Sequence, residues 1–200
     1  MSLGVKILLV AVGYLLGSIP FGLVLAKAKG IDPRKVGSGN IGASNVTRSA
    51  GKALGAATLV LDAVKASIPM LVTRALLAGD PHAETWVVAV GLAAFLGHVY
   101  PVWLGFKGGK GVATALGVFL VLAPLAALVA FVAFAIAFAT TRVAAVGSLA
   151  GTVVCTAGVF LMHGGRSPVP WIALVVALLI VWRHRSNLER LARGAEHKIQ

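Results

Sequence analysis

Apolar residues run along this chain in six long stretches, about 4–26, 53–78, 84–103, 112–139, 143–162 and 169–183, divided by short polar pieces. Runs of about 18 or more apolar residues have the length of a helix that crosses a bilayer. The pattern therefore predicts an all-α, polytopic membrane helix bundle forming a single domain over 1–200. The first stretch is too long for the apolar core of a secretory leader and is followed by others of its kind, so it is expected to persist as a permanent helix. The fourth stretch, 112–139, carries Pro124 near its middle. An interior proline costs a helix about 3 kcal/mol, which favours a hairpin of two short helices. Arms of about 14 residues would reach only about 21 Å, against a hydrocarbon core of about 30 Å. With that hairpin the expected number of transmembrane helices is seven.

Charge orients the spans. The 27–52 segment carries Lys27, Lys29, Arg34, Lys35, Arg48 and Lys52 against Asp32, so the positive-inside rule places it in the cytoplasm and the N-terminus outside. Asp80 and Glu84 then fall outside, and the 104–111 loop with Lys107 and Lys110 falls inside. The hairpin also brings the basic tail 184–200 inside, giving an N-out, C-in protein. Fourteen of the 18 Lys and Arg residues lie on that inner face, Arg142, Arg183, Arg185, Arg190, Arg193 and Lys198 completing the set, opposed by Asp32, Glu189 and Glu196. Such a surface attracts anions at the membrane boundary.

Composition narrows the partners. The chain is 58% hydrophobic and 12% charged, with a net charge of +12. In a soluble domain that charge would suggest nucleic acid; here it reports topology and contact with anionic lipid or an anionic substrate, with no nucleic-acid partner. The single cysteine, Cys155, lies in an apolar run and cannot form an intrachain disulfide.

Two segments carry glycines at phosphate-like spacings. Gly37-x-Gly39-x-x-Gly42 matches the dinucleotide fingerprint, and Asp62 follows 20 residues after Gly42. That fingerprint needs a preceding strand and an acid at the end of a second one. Here a charged loop precedes it and Asp62 sits inside an apolar helix, so no dinucleotide is expected. The glycines still let backbone N–H groups approach an anion; Ser38, Asn40, Ser44 and Asn45 add neutral donors, and Arg48 adds a planar guanidinium suited to phosphate. A polar loop rich in turn residues would look the same. The second segment, GFKGGKGVATALG over 105–117, fails as a Walker A loop: Leu104 replaces its first glycine, and Gly111 follows Lys110. It remains a glycine turn, Lys107-Gly108-Gly109-Lys110, leading into a helix N-terminus where an anion is favoured, or else an ordinary basic loop.

Five further side chains bear on chemistry. His184 and Asn187 follow the last span; a histidine at that boundary is a candidate proton acceptor or a helix cap. The stretch NLERLARGAEHKI reads as a short amphipathic helix ended by Gly194. His98, in GHVYP, is more simply a structural anchor than a catalytic partner. Asp62 and Lys65, three apart in the second span, read as a structural ion pair.

Three segments in series, GSGNIGASNVTR (37–48), GHVYPVWLGFKGGKGVATALG (97–117) and HRSNLERLARGAE (184–196), resemble the bacterial acyl-phosphate:glycerol-3-phosphate acyltransferases, small integral membrane enzymes. Order and spacing match over almost the whole chain. Ser44 stands where that pattern has Thr, Ala66 where it has Gly, and 143–151 is poorer in Ser and Tyr. The resemblance implies transfer of a fatty acyl group from acyl phosphate to the 1-hydroxyl of sn-glycerol 3-phosphate, giving lysophosphatidic acid and phosphate, in the cytoplasmic (inner) membrane of a bacterium. It leaves room for an upstream enzyme that forms acyl phosphate.

The catalytic residues it suggests are His184, Asn187 and Ser38. Gly37, Ser38, Gly39, Asn40, Gly42, Ser44 and Asn45 would take the donor's phosphoryl end. Arg48, Lys107 and Lys110 would hold glycerol 3-phosphate, Gly108 and Gly109 would belong to the substrate-binding turn, and Ser148 is a weaker carry-over. The proton acceptor is either His184 or the departing phosphate, and the scarcity of acids favours the phosphate. No cofactor and no metal is expected, since two-metal chemistry needs converging carboxylates and the inner face has three scattered acids. Two other classes compete: a transporter of an organic phosphate anion, which the absence of an inverted repeat disfavours, and a non-catalytic scaffold.

Overall fold

The computed structural model describes residues 1–199, which form ten α-helices and one 3-10 turn; Gln200, the last residue of the expected tail, lies outside the described residues. The chain divides into two compact units, the first Met1–Leu122 and the second from Ala123 onward.

Unit 1 holds α1 (Leu3–Gly17), α2 (Phe21–Lys27), α3 (Ala43–Ala50), α4 (Lys52–Leu76), α5 (Ala83–Val99), the turn Val102–Leu104 and α6 (Val112–Leu122). The first apolar stretch is not one straight helix. It breaks at Ser18–Pro20, where Pro20 has no N–H to continue the ladder, and resumes as α2. The Ile19 carbonyl at the break accepts a hydrogen bond from Lys65 Nζ at 2.8 Å. Pro69 in α4 causes no such break, and its carbonyl accepts from Thr73 Oγ1 at 2.7 Å.

Helices α1 and α5 run parallel at van der Waals contact. A Cβ at Gly17 would strike the Ala94 carbonyl, and one at Gly97 the Tyr14 carbonyl. In lipid, where apolar surface alone gives helices little reason to associate, such close approach supplies the packing. Lys6 near the start of α1 pairs with Asp80 before α5 at 2.5 Å, and Tyr14 Oη donates to the Tyr100 carbonyl at 2.7 Å. Helices α4 and α6 run the other way, side by side: Ser67 Oγ donates to the Gly117 carbonyl and Arg74 Nη2 to the Val121 carbonyl, each at 2.9 Å. Unit 1 therefore has two distinct ends. One carries Lys6, Arg74, Asp80 and Leu122. The other carries both glycine-rich segments, 28–51 and 100–111.

Unit 2 holds α7 (Pro124–Thr141), α8 (Ala144–His163), α9 (Pro168–Arg183) and α10 (Arg185–Ala192). Helices α7 and α8 form an antiparallel pair, with Gly147 against Phe134, Gly151 against Ala130 and Gly158 against Ala126. Arg142 turns the corner in the left-handed region, φ 59°. Between α9 and α10 the axis bends by 53°. Gly194, φ 66°, follows α10 as expected, and the tail returns so that Ile199 N–H donates to the Arg142 carbonyl at 2.9 Å.

The helix break expected near Pro124 occurs at Ala123. Its arms are not the equal pair expected from the sequence: α6 has 11 residues and α7 has 18, because Pro124 opens α7 as its first residue, where a missing N–H costs nothing. Among the described residues five helical runs are long and apolar enough to cross a membrane, the α1–α2 run counting as one, or six if the bent α9–α10 pair is a span.

Candidate active site

The 37–45 segment is folded around one side chain. Asn45, in the first turn of α3 and 2% exposed, accepts from Ser38 N–H through Oδ1 at 2.9 Å. Its Nδ2 lies 2.8, 3.1 and 2.9 Å from the carbonyls of Pro33, Val36 and Asn40. Gly37 must be glycine, since φ is 57° and a Cβ would meet Asn45 Oδ1. Gly39 N–H donates to Val36 O, and Gly42 N–H to Asn40 Oδ1 at 2.9 Å. Ser38, Gly39 and Gly42 thus turn their N–H groups inward to build the loop, and Asn45 is its hub. The amide donors this construction presents are those of Ala43 and Ser44, first-turn N–H groups that no intrahelical carbonyl can take, at the positive end of α3. Beside them Arg48 Nη2 approaches Ser38 Oγ at 3.4 Å.

The 105–111 segment is built differently. It folds back along the end of α5, with Gly108 N–H donating to the Val99 carbonyl at 3.2 Å and Gly109 N–H to the His98 carbonyl at 3.1 Å. These amides too are engaged with backbone carbonyls. Gly109 lies on the His98 ring, where a Cβ would collide with Nε2. Lys107 is exposed, and Lys110, half-buried, precedes α6 by two residues.

Beneath both segments lies a buried charged cluster. Lys65 Nζ is 2.7 Å from Asp62 Oδ1, 3.0 Å from His98 Nδ1 and 5.9 Å from the centre of the Phe21 ring. Asp62 and His98 approach to 3.6 Å. The ion pair was legible from its spacing; its third member was not, because His98 comes from another helix 33 residues away. Next to Phe21, Gly22 packs against the carbonyl of Ile41, so the cluster touches supports of both glycine segments.

At the rim, Arg34 grips Asp32 through Nε at 2.9 Å and Nη2 at 2.6 Å. The Arg34 guanidinium holds the Asp32 carboxyl well below the usual carboxylate range. At the opposite end of the unit, Lys6 and the His82 N–H likewise lower Asp80.

In unit 2, His184 sits at the α9–α10 bend, 2% exposed. Its Nδ1 lies 2.8 Å from the Ile180 carbonyl; a carbonyl only accepts, so Nδ1 carries a proton and donates it there. Asn187 Nδ2 donates to Glu196 Oε1 and Arg190 Nε to Glu196 Oε2, both at 3.0 Å. Glu196, read from sequence as one of three scattered acids, is the clasp that folds the tail under α10. Ser148 Oγ donates to the Ala144 carbonyl at 2.8 Å and is buried. Its proton is thereby spent within α8, which weakens its case as a substrate ligand. Among the described residues no group of three or more His, Cys, Asp or Glu gathers to hold a metal ion.

The family model for glycerol-3-phosphate acyltransferase matches residues 7–194. A glycerol-3-phosphate acyltransferase of Anaeromyxobacter sp. (strain K) is 61% identical over 193 residues, covering 96% of each chain, and one of Geobacter sulfurreducens is 48% identical over 196 residues, covering 98% of each. Among solved structures, the glycerol 3-phosphate form of PlsY (YgiH), an integral membrane glycerol 3-phosphate acyltransferase, is 43% identical with a TM-score of 0.90, covering 98% of this chain and 96% of that one. Its lysophosphatidic acid form gives 0.86.

Proposed function

The chain belongs to the glycerol-3-phosphate acyltransferase family of integral membrane proteins, and from that premise we infer how its own residues carry acyl transfer. It is an acyltransferase of glycerol 3-phosphate in phospholipid synthesis, and the transporter reading falls with the family assignment. The proposed donor is acyl phosphate, a mixed anhydride already activated, so no acyl-enzyme intermediate is needed. The 1-hydroxyl oxygen of glycerol 3-phosphate attacks the acyl carbonyl carbon. The new ester C–O bond forms, the C–O bond to phosphate breaks, and inorganic phosphate leaves with the electron pair.

The first-turn amides of α3, Ser38 and Ser44 are proposed to receive the donor phosphate. Arg48, Lys107 and Lys110 are proposed to hold glycerol 3-phosphate, and His184 and Asn187 to orient the hydroxyl. Gly37, Gly39, Asn40, Gly42, Asn45, Gly108 and Gly109 serve by shaping the two segments. One observation carries this reading: Ser38, on the donor side, stands 3.4 Å from Arg48, on the acceptor side, at the same end of unit 1 that bears Lys107 and Lys110. Two phosphates held that close leave the hydroxyl and carbonyl in the positional relation that gives effective molarities of about 10⁵ M or more.

Purified protein in lipid, given palmitoyl phosphate and labelled glycerol 3-phosphate, is expected to form lysophosphatidic acid and phosphate one to one. Absence of turnover, or uptake without ester formation, would overturn the reading. Activity is expected to survive EDTA. The proton is assigned to the departing phosphate, so His184→Gln is expected to lower kcat while keeping the shape of the pH–rate profile; loss of a limb would assign it to His184.

The proposed topology is seven spans, N-out and C-in, in the bacterial inner membrane with the basic ends cytoplasmic. Within unit 1 the parallel α1 and α5 and the opposed α4 and α6 support it. Cysteine labelling at positions 80 and 107, in a Cys155→Ala background, is expected to report opposite sides of the membrane.

A further inference from the structure

We propose that the buried Asp62–Lys65–His98 cluster is a positioning device for the acceptor site, setting the 107–110 turn, and through it the affinity for glycerol 3-phosphate, without touching substrate. The inference rests on the assignment of Lys107 and Lys110 to glycerol 3-phosphate above. The cluster is more than a packing pair. Its lysine reaches three elements at once: Asp62 on its own helix, the Ile19 carbonyl at the α1–α2 break, and His98 Nδ1 on α5. A lysine only donates, so His98 Nδ1 must accept, and the ring's rotation is fixed from below with Nε2 turned to the glycine turn.

His98 then grips that turn from two directions. Its carbonyl takes the Gly109 N–H at 3.1 Å, and its ring lies where a Gly109 Cβ would be. Gly109 is flanked by Gly108 and Lys110 and stands two residues from Lys107, so a rotated or missing ring frees the turn that carries both cations. A residue that orients another in this way alters binding geometry without entering the chemistry, and misplacement by about 1 Å can cost up to about 100-fold.

The experiment compares His98→Leu, which removes the acceptor, with His98→Asn, whose Oδ1 can stand near Nδ1 and accept from Lys65. Each variant is checked for a monodisperse, cooperatively unfolding state in detergent, and KM is measured for both substrates. His98→Leu is expected to raise KM for glycerol 3-phosphate about 10-fold or more, with KM for palmitoyl phosphate and kcat each within about threefold of the unsubstituted protein. His98→Asn is expected to recover most of the loss. An unchanged glycerol 3-phosphate KM, or a fall in kcat alone in both variants, overturns the proposal; the latter would make His98 part of the chemistry. If His98→Leu does not fold, the double variant Asp62→Asn/Lys65→Met removes both buried charges together and must show the same rise in glycerol 3-phosphate KM, or the proposal fails. Turnover by the unsubstituted protein tests the enzyme assignment separately, and direct titration of glycerol 3-phosphate must follow its KM.

Discussion

The two glycine-rich segments of unit 1 look alike in sequence and are built by opposite means. Segment 37–45 is organised by a side chain: Asn45 engages one N–H and three carbonyls and draws the loop around itself. Segment 105–111 is organised by backbone, its amides laid on the last carbonyls of α5 and its glycines pressed on His98 and Pro101. In both, glycine lets the chain approach a neighbour closely, and the N–H groups of Gly39, Gly42, Gly108 and Gly109 are engaged within the protein. What each segment then leads to is the same pair of elements, the start of a following helix and a cation close to it, Arg48 within α3 and Lys110 before α6. Glycine spacing in such a loop reports how the loop is held, and the ligand is met by what the glycines place.

That contrast orders the expected effects. Asn45→Ala should be the most damaging change, because it orphans the Ser38 N–H and several carbonyls at about 1–3 kcal/mol for each buried group. A loss of kcat/KM of about 100-fold or more is expected, with a lowered unfolding temperature in detergent; retention of activity would mean the loop is not held by this side chain. Lys107→Ala should act on one substrate only, raising KM for glycerol 3-phosphate about 10-fold by removing a charge-assisted contact, with Lys107→Arg close to the unsubstituted protein. Arg48→Lys should sharpen the distinction between fork and point charge, keeping the charge but losing bidentate geometry, and cost less than Arg48→Ala.

The smallest effect belongs to the rim. Asp32 is lowered by Arg34, so its folded pKa lies below its unfolded one. The stabilisation is complete above the ordinary carboxylate value of about 4 and fades as pH falls from there toward the lowered value. Asp32→Asn should flatten that acid limb of unfolding while leaving neutral-pH turnover within about twofold, as expected of an exposed pair.

Local signals in the sequence translated directly. Pro124 broke its apolar stretch, Gly194 followed α10, and Asp62 and Lys65 met because three residues along a helix share a face. Pro20 was an equally local signal that the length of the first apolar stretch masked. Its consequence differs from that of Pro69 in α4, where the helix continues through the proline. What the sequence could not reveal were partners set by tertiary approach: His98 joining Lys65 across 33 residues, Glu196 clasping Asn187 and Arg190, and the glycine amides of the 105–111 turn finding the carbonyls at the end of α5. Residue types announce a capacity to donate or accept, and only the fold decides which groups consume it.

The central claim is that the two segments divide the substrates, 37–45 serving the acyl donor and 105–111 the acceptor. Separate KM values for palmitoyl phosphate and glycerol 3-phosphate in Ser38→Ala and Lys107→Ala test it most directly. A crossed result is predicted: Ser38→Ala weakens the donor and Lys107→Ala the acceptor, each leaving the other substrate within about threefold. Both substitutions weakening the same substrate would contradict the account.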